Sequence, residues 1–451
     1  MRSTIATNRR TSVNRILAFA AITTIAGLAM SACSAPADSD SSADIEAALQ
    51  EESTLTVWGW DPGFEPIARA FEEEYPNIAV EVVNAGTGTD QYARLQNAIS
   101  AGSGAPDVAQ MEYQAIPQFA LSGGLYDLTE VGYDDLEDLY SAGAWNNVVA
   151  DDGVYGLPWG TGPMALFYNK TVFDKFGIAE PPATWAEFAD DAKTIHEADP
   201  NSYITNDTGD AGFLTSLIWQ AGGNPFTVSG DSDVTIDLQD VGSTLVADTW
   251  SSFVQNDLLA PIPTWSDEWF RGLSDGTIAS LTIGGWMAGN LEGSVPDGAG
   301  DWRVAPMPAW VEGDPGTAEN GGGGASVLEQ SQNKLVAAAF LKFMTTGKGQ
   351  EIELEQVGGI PSTIENLNDP QWLDREWEYF GGQQVNQVLA DSANNVVPGW
   401  QYLPYQVYAN SIFGDTVGQA YAEKSDLNAG LIAWQDALVR YGDEQGFTVN
   451  E

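Results

Sequence analysis

The sequence predicts an α/β fold around a parallel sheet, in a chain long enough for two domains. Strand, loop and helix alternate from Thr54 to Met111 in a βαβαβ rhythm, the pattern of parallel strands joined by helices. Apolar stripes at helical spacing recur to the end of the 451 residues. A folded part of about 400 residues exceeds what one hydrophobic core usually serves.

The chain opens with Arg2, Arg9, Arg10 and Arg15 and no acidic residue, then runs through the mostly apolar Ile16 to Met30 into small residues and Cys33. That order is a secretory signal, spanning residues 1–32. Thr23 and Thr24 interrupt the apolar run, and a membrane-spanning helix needs about 20 continuous apolar positions. Met30-Ser31-Ala32-Cys33 resembles the lipobox of bacterial lipoproteins, which makes Cys33 the acceptor of a lipid. Arg9-Arg10 resembles a twin-arginine signal, but Thr11, Ser12 and Val13 stand where hydrophobic residues are expected. Residues 33–53, rich in Ser, Ala, Asp and Glu, read as a flexible tether. Cys33 is the only cysteine, so no disulfide supports the fold.

From Thr54, Leu55 and Val57 alternate as a strand; Asp61-Pro62-Gly63 breaks it, and Ile67, Ala70, Phe71 and Tyr75 give a helix. Ile78, Val80 and Val82 predict the second strand, Tyr92, Leu95 and Ile99 the next helix, and Asp107 to Met111 the third strand. The binding crevice of such a sheet lies beyond the carboxyl ends of its strands. Thr184 and Glu187 make a capping box before a helix with Phe188, Ala192 and Ile195 on one face. Two further helices are predicted, from about Asn333 to Met344 and through Leu427, Leu431, Trp434 and Leu438.

With 17 Lys and Arg against 64 Asp and Glu, the net charge is −47, and removing the signal arginines deepens it. Nucleic acid and anionic lipid headgroups are repelled. His196, the only histidine, has no cysteine or second histidine to complete a metal set and reads as a surface helix residue. No phosphate-binding glycine pattern follows a strand. Asp231-Ser232-Asp233 to Asp237 lacks the central glycine and closing glutamate of a calcium loop and reads as an acidic turn. A carboxylate pair for glycoside hydrolysis stays open, because 64 acids offer many pairs.

Tryptophan at loops is what the sequence offers instead: Trp58, Trp60, Trp159, Trp265, Trp286, Trp310 and Trp400 stand beside Gly, Pro, Asp or Ser. Flat indoles cover the C–H faces of a pyranose while neighbouring amides and carboxylates take its hydroxyls. Trp185, Trp250, Trp372 and Trp434, set in helical patterns, read as core.

TLTVWGWDPGFEPIARAFEEEYPNIAVEV from Thr54, LQNAISAGSGAPDVAQ from Leu95, DGVYGLPWGTGPMALFYNKTVFDKFGI from Asp152, NKLVAAAFLKFMTTGKGQE from Asn333 and GGIPST from Gly358 together resemble the extracellular solute-binding proteins of bacterial ABC importers, family 1, the maltose- and oligosaccharide-binding class. The resemblance implies a periplasmic-binding-protein-like fold of type II, with two discontinuous α/β lobes joined by hinge strands. Lobe one would hold 54–159 and 325–359, lobe two 160–324 and 360–451. It implies a monomer that binds a sugar, no enzymatic activity, no cofactor or metal, and delivery to membrane permease subunits, with Cys33 holding the protein at the outer face of the membrane. Ligand contacts would come from Trp58, Trp60, Asp61, Asp90, Glu112, Tyr113, Gln114, Trp159, Thr161, Trp286, Glu319, Asn320, Trp400 and Tyr402. A glycoside hydrolase, a surface lectin, or the same fold binding a polyamine are the alternatives.

Overall fold

The computed structural model describes residues 41–150, 152–230, 232–356 and 358–451. The signal segment and Cys33 lie outside these residues. The expected tether is not flexible throughout. Helix α1 (Ser41–Ala48) occupies part of the expected tether, with Ile45 and Ala48 packed against the core and Leu49 only 6% exposed. Three apolar residues at helical spacing were enough to anchor an otherwise polar segment.

Strand β1 (Ser53–Trp58) buries Leu55 and Val57 completely. Helix α2 (Phe64–Glu74) turns Phe64, Ile67 and Phe71 inward, and β2 (Ile78–Val83) pairs parallel to β1. Helix α3 (Thr89–Ala101) buries Tyr92 and Leu95 and stops at Gly102, whose φ of +68° only glycine adopts freely. Strand β3 (Val108–Glu112) pairs parallel to β1 on its other side, completing the βαβαβ unit.

Strand β4 (Leu157–Asn169) is the longest, and nearly every residue along it is buried. Helix α4 (Trp185–Ala198) carries the expected capping box: Glu187 N–H donates to Thr184 Oγ1 at 3.2 Å and the Glu187 carboxylate accepts from Thr184 N–H at 3.3 Å. His196 on this helix is half-buried rather than on the surface, its ring tilted against Tyr203. Then follow α5 (Ala211–Gln220), β5 (Ser280–Gly284), α6 (Met287–Ser294), β6 (Trp302–Ala305) and β7 (Glu319–Val327). Helices α7 (Lys334–Thr345), α8 (Gly347–Gln356) and α9 (Leu427–Gln445) complete the elements that matter for the site.

Among the described residues these seven strands form one sheet, in the order β5, β4, β7, β3, β1, β2, with β6 also on β4. Strand β4 pairs with β7 over its first half and with β5 and β6 over its second, so it runs from one half of the molecule into the other. Strand β7 returns between β4 and β3. Its glycine run is steric: a Cβ at Gly323 would sit 2.6 Å from the Met111 carbonyl oxygen, and one at Gly324 would collide with that of Leu157. A third passage follows at 358–363, where Thr161 N–H donates to Ile360 O at 3.2 Å and Gly160 bridges Pro361.

The apolar side chains divide the same way. One cluster draws on Leu49 to Trp159 and Ala325 to Met344, while two others draw on Met164 to Ala318 and Ile360 to Leu438. The architecture is two α/β lobes joined by hinge strands. Trp185, Trp250, Trp372 and Trp434 are all buried, as expected of core tryptophans. The Asp231 to Asp237 stretch connects and enters a hairpin, strands Phe226–Ser229 and Asp233–Ile236, with Asp231 itself outside the described residues.

Candidate ligand-binding cleft

The loop after β1 is fixed from below by Gln110 of β3, whose Oε1 accepts the N–H groups of Trp60 and Asp61 at 2.9 and 3.1 Å. Asp61 Oδ1 in turn accepts Gly63 N–H at 2.8 Å, which starts α2. At the end of β3, Tyr92 hydroxyl donates to Glu112 Oε2 and accepts Glu112 N–H, both at 2.9 Å. Across the cleft, Trp286 follows β5 and donates its indole N–H to Asn320 O of β7 at 2.7 Å. Ser216 of α5 donates to Glu319 O at 2.8 Å and accepts from Asn320 Nδ2 at 3.2 Å.

These elements enclose two adjoining cavities. The first, about 350 Å³, is lined by the predicted Glu112, Gln114, Trp286, Glu319, Asn320, Trp400 and Tyr402. The second, about 880 Å³, is lined by the predicted Trp60, Asp61, Glu112, Trp159, Thr161 and Trp286. They meet at Glu112, Trp265, Trp286 and Gly321.

Three predicted residues line neither cavity. Trp58 ends β1 and packs against the first-lobe core. Asp90 faces solvent in the first turn of α3. Tyr113 is fully buried and donates its hydroxyl to Gly160 O at 3.0 Å, so it braces the hinge instead.

Other lining residues stood outside the predicted contacts, Trp265 having been singled out only as a loop tryptophan. Trp265 lies against Trp286, rings 5.7 Å apart and 25° from parallel, in a left-handed backbone conformation (φ +68°) that is strained for a bulky residue. Trp219 stacks on Trp400 at 5.2 Å and 6°; it sits in the apolar run of α5, with no Gly or Pro beside it to mark a loop. Asp210 caps α5 by accepting Phe213 N–H at 2.7 Å, and an Asp before an apolar helix was a legible capping signal. Glu353 of α8 reaches the second cavity from a stretch with no loop tryptophan or turn motif to mark it. Asp207 is held by Gly209 N–H, Trp250 Nε1–H and Tyr421 hydroxyl, each at 2.8 Å, and burial still raises its carboxyl to about 6.

Acids dominate the charged lining: Glu112, Asp207, Asp210 and Glu319 in the first cavity, Asp61 and Glu353 in the second. Among the described residues neither lining includes Lys, Arg or His. Burial pushes Glu319 up to about 8, opposed by a hydrogen bond from Gly162, and its Oε2 has no partner. Glu353 is raised by burial and then by the neighbouring Asp61 charge. Glu112 is raised by burial, with the Tyr92 hydrogen bond acting against it. The cleft therefore presents indole faces, amides and partly protonated carboxyls, a surface for an uncharged, hydroxyl-rich ligand or for a cation.

Two lobes, three hinge passages and a cleft between them define a ligand-binding protein. The sequence pattern of the bacterial extracellular solute-binding proteins matches residues 59–351, and the chain belongs to that family. It is similar to the ABC transporter associated binding protein of Bifidobacterium animalis subsp. lactis Bl-04, solved with β-1,6-galactobiose: 42% identical, TM-score 0.83, covering 89% of this chain and 100% of that one. The arabinooligosaccharide-binding protein of Halalkalibacterium halodurans is 26% identical over 370 residues, 79% of this chain and 82% of that protein. The galacto-N-biose/lacto-N-biose I-binding protein of Bifidobacterium longum shares the fold at TM-score 0.77 and 24% identity, over 88% of this chain and 99% of its own.

Proposed function

We propose that this protein is the substrate-binding component of an ABC importer, capturing a neutral oligosaccharide between its lobes and presenting it to a membrane permease. The observation that carries the reading is the pairing of indoles, Trp265 with Trp286 and Trp219 with Trp400, around amides and carboxyls without a cation. Aromatic faces shed the apolar side of a pyranose and the polar groups take its hydroxyls. The galactobiose and arabinooligosaccharide named for its relatives support the same ligand class. Lobe one comprises 54–159 and 325–359, extended at its start by α1; lobe two comprises 160–324 and 360–451. Ligand contacts come from Trp60, Asp61, Glu112, Gln114, Trp159, Thr161, Trp286, Glu319, Asn320, Trp400 and Tyr402. Closure shifts toward the state the sugar binds better, with no bond made or broken. The protein works as a monomer, held at the outer membrane face by a lipid on Cys33; labelling with a fatty-acid analogue that a Cys33→Ala variant loses tests the anchor.

A thermal-shift panel of mono- to tetrasaccharides and polyamines tests the capture. A rise in melting temperature with galacto- or arabino-oligosaccharides and none with spermidine is expected. Spermidine alone stabilising the protein overturns the reading in favour of a polyamine carrier, which the carboxyl-rich lining otherwise suits. Release of shorter sugars from those oligosaccharides points instead to a hydrolase.

A further inference from the structure

We propose that Asn206 is the positioning residue of the cleft's aromatic platform: its side-chain amide holds the turn that presents Trp265, and so governs affinity through that ring. This rests on the carbohydrate reading of the cleft. Trp265 takes the third position of a turn, Pro263 to Ser266, closed by Ser266 N–H donating to Pro263 O at 3.4 Å. Its φ of +68° is one that this position ordinarily gives to glycine. Pro263, Thr264 and Trp265 are all exposed, so the strained conformation has to be held by specific bonds.

The backbone ladder cannot hold it. The short strands Thr205–Asn206 and Leu259–Ala260 pair for two residues only, and Pro261 and Pro263 beyond them have no N–H to extend the pairing. The Asn206 side chain takes over at that point. Its Nδ2 donates to Ile262 O at 3.1 Å and to Thr264 Oγ1 at 3.0 Å, and its Oδ1 accepts the Trp269 indole N–H at 2.7 Å. Asn206 is 8% exposed, and the three bonds use both amide hydrogens and the amide oxygen. The turn is thereby tied to Trp269, whose ring packs on Trp265 at 5.2 Å. With the turn fixed, Trp265 lies on Trp286, 5.7 Å away and 25° from parallel.

An amide suits this role and a carboxylate does not, because the Ile262 carbonyl needs a donor that an ionised oxygen cannot supply. Asn206 also borders the first cavity. Direct contact with the ligand is therefore the competing role, and the test has to separate the two.

Asn206→Asp keeps the volume and the acceptor for Trp269 but removes both donors. Calorimetry on the full chain with β-1,6-galactobiose and arabino-oligosaccharides compares the wild type, Asn206→Asp, Trp265→Gly and the double variant as a cycle. Asn206→Asp should weaken binding at least threefold when Trp265 is present and less than twofold when it is gone. No loss with Trp265 present overturns the proposal. So does an equal loss in both backgrounds, which makes Asn206 a direct contact. A ligand-free reading accompanies the cycle: of the near-UV circular dichroism lost in Trp265→Gly, at least half should be lost in Asn206→Asp, and an unchanged spectrum overturns the positioning role. A wild type that binds none of the sugars overturns the carbohydrate reading, while the spectra still decide on Asn206. Should Asn206→Asp fail to fold, Thr264→Val, which removes one of the two acceptors, takes its place in both readings.

Discussion

The indole N–H of Trp286 donates to the backbone carbonyl of Asn320 at 2.7 Å, tying the turn after β5 to hinge strand β7. The same ring lies on Trp265 and borders both cavities. Trp286 is thus held from two sides while its face stays in the cleft, which is how an aromatic platform keeps its orientation before ligand arrives. Trp286→Ala is expected to weaken oligosaccharide binding at least tenfold by calorimetry. Unchanged affinity would remove it from the site.

Trp265 supplies the other ring from a strained backbone and is 52% exposed. Burying such an indole under a sugar is worth more than keeping it against solvent. Trp265→Gly relieves the left-handed strain and deletes the ring, so it should leave melting temperature level or higher while binding falls at least fivefold. A variant that binds as tightly as the wild type would leave the strain without a role in capture.

Tyr113 shows where sequence reasoning placed a residue beside the site and misjudged its use. Following the third strand, it was expected to face the ligand; its ring instead fills the core and its hydroxyl holds Gly160 O across the first hinge passage. Tyr113→Phe takes one donor from the half-buried Gly160 carbonyl, a loss of about 1 kcal/mol. A melting temperature lower by a few degrees is expected, and an unchanged value would show that the bond adds nothing.

What was legible follows a physical division. The alternation of Leu55 and Val57, the Thr184 capping box and the stripes of α7 and α9 are local patterns, and each formed where its residues predicted. Trp60, Asp61 and Trp286 were readable because loops at strand ends face the crevice of an α/β sheet. Glu353 and Trp219 were not, because they lie in helices and enter the cleft only through the packing of stretches far apart in the chain. The α1 segment was masked by composition: acidic and serine-rich on average, it still places Ile45, Ala48 and Leu49 on one side.

Glu319 gives the cleft a pH dependence whose sign can be worked out. Its carboxyl is raised to about 8 from an ordinary 4.5, first by burial, and its Oε2 is unpaired. Below the ordinary value it is protonated folded or unfolded, and stability is unaffected. As pH rises from there toward 8 the unfolded chain releases the proton and the folded one keeps it, so stability falls, and the loss is complete above about 8. Each pKa unit is worth about 1.4 kcal/mol, so the full effect is on the order of a few kcal/mol. Glu112, Asp61 and Glu353 are raised too, and Asp207 to about 6, all acting in the same direction. Repulsion within a chain of net charge −47 adds to the trend. The discriminating measurement is therefore a difference: between pH 5 and 9 the melting temperature of Glu319→Gln should fall less than that of the wild type. Parallel pH curves would mean that the carboxyl titrates alike in both states, leaving burial without the consequence derived for it.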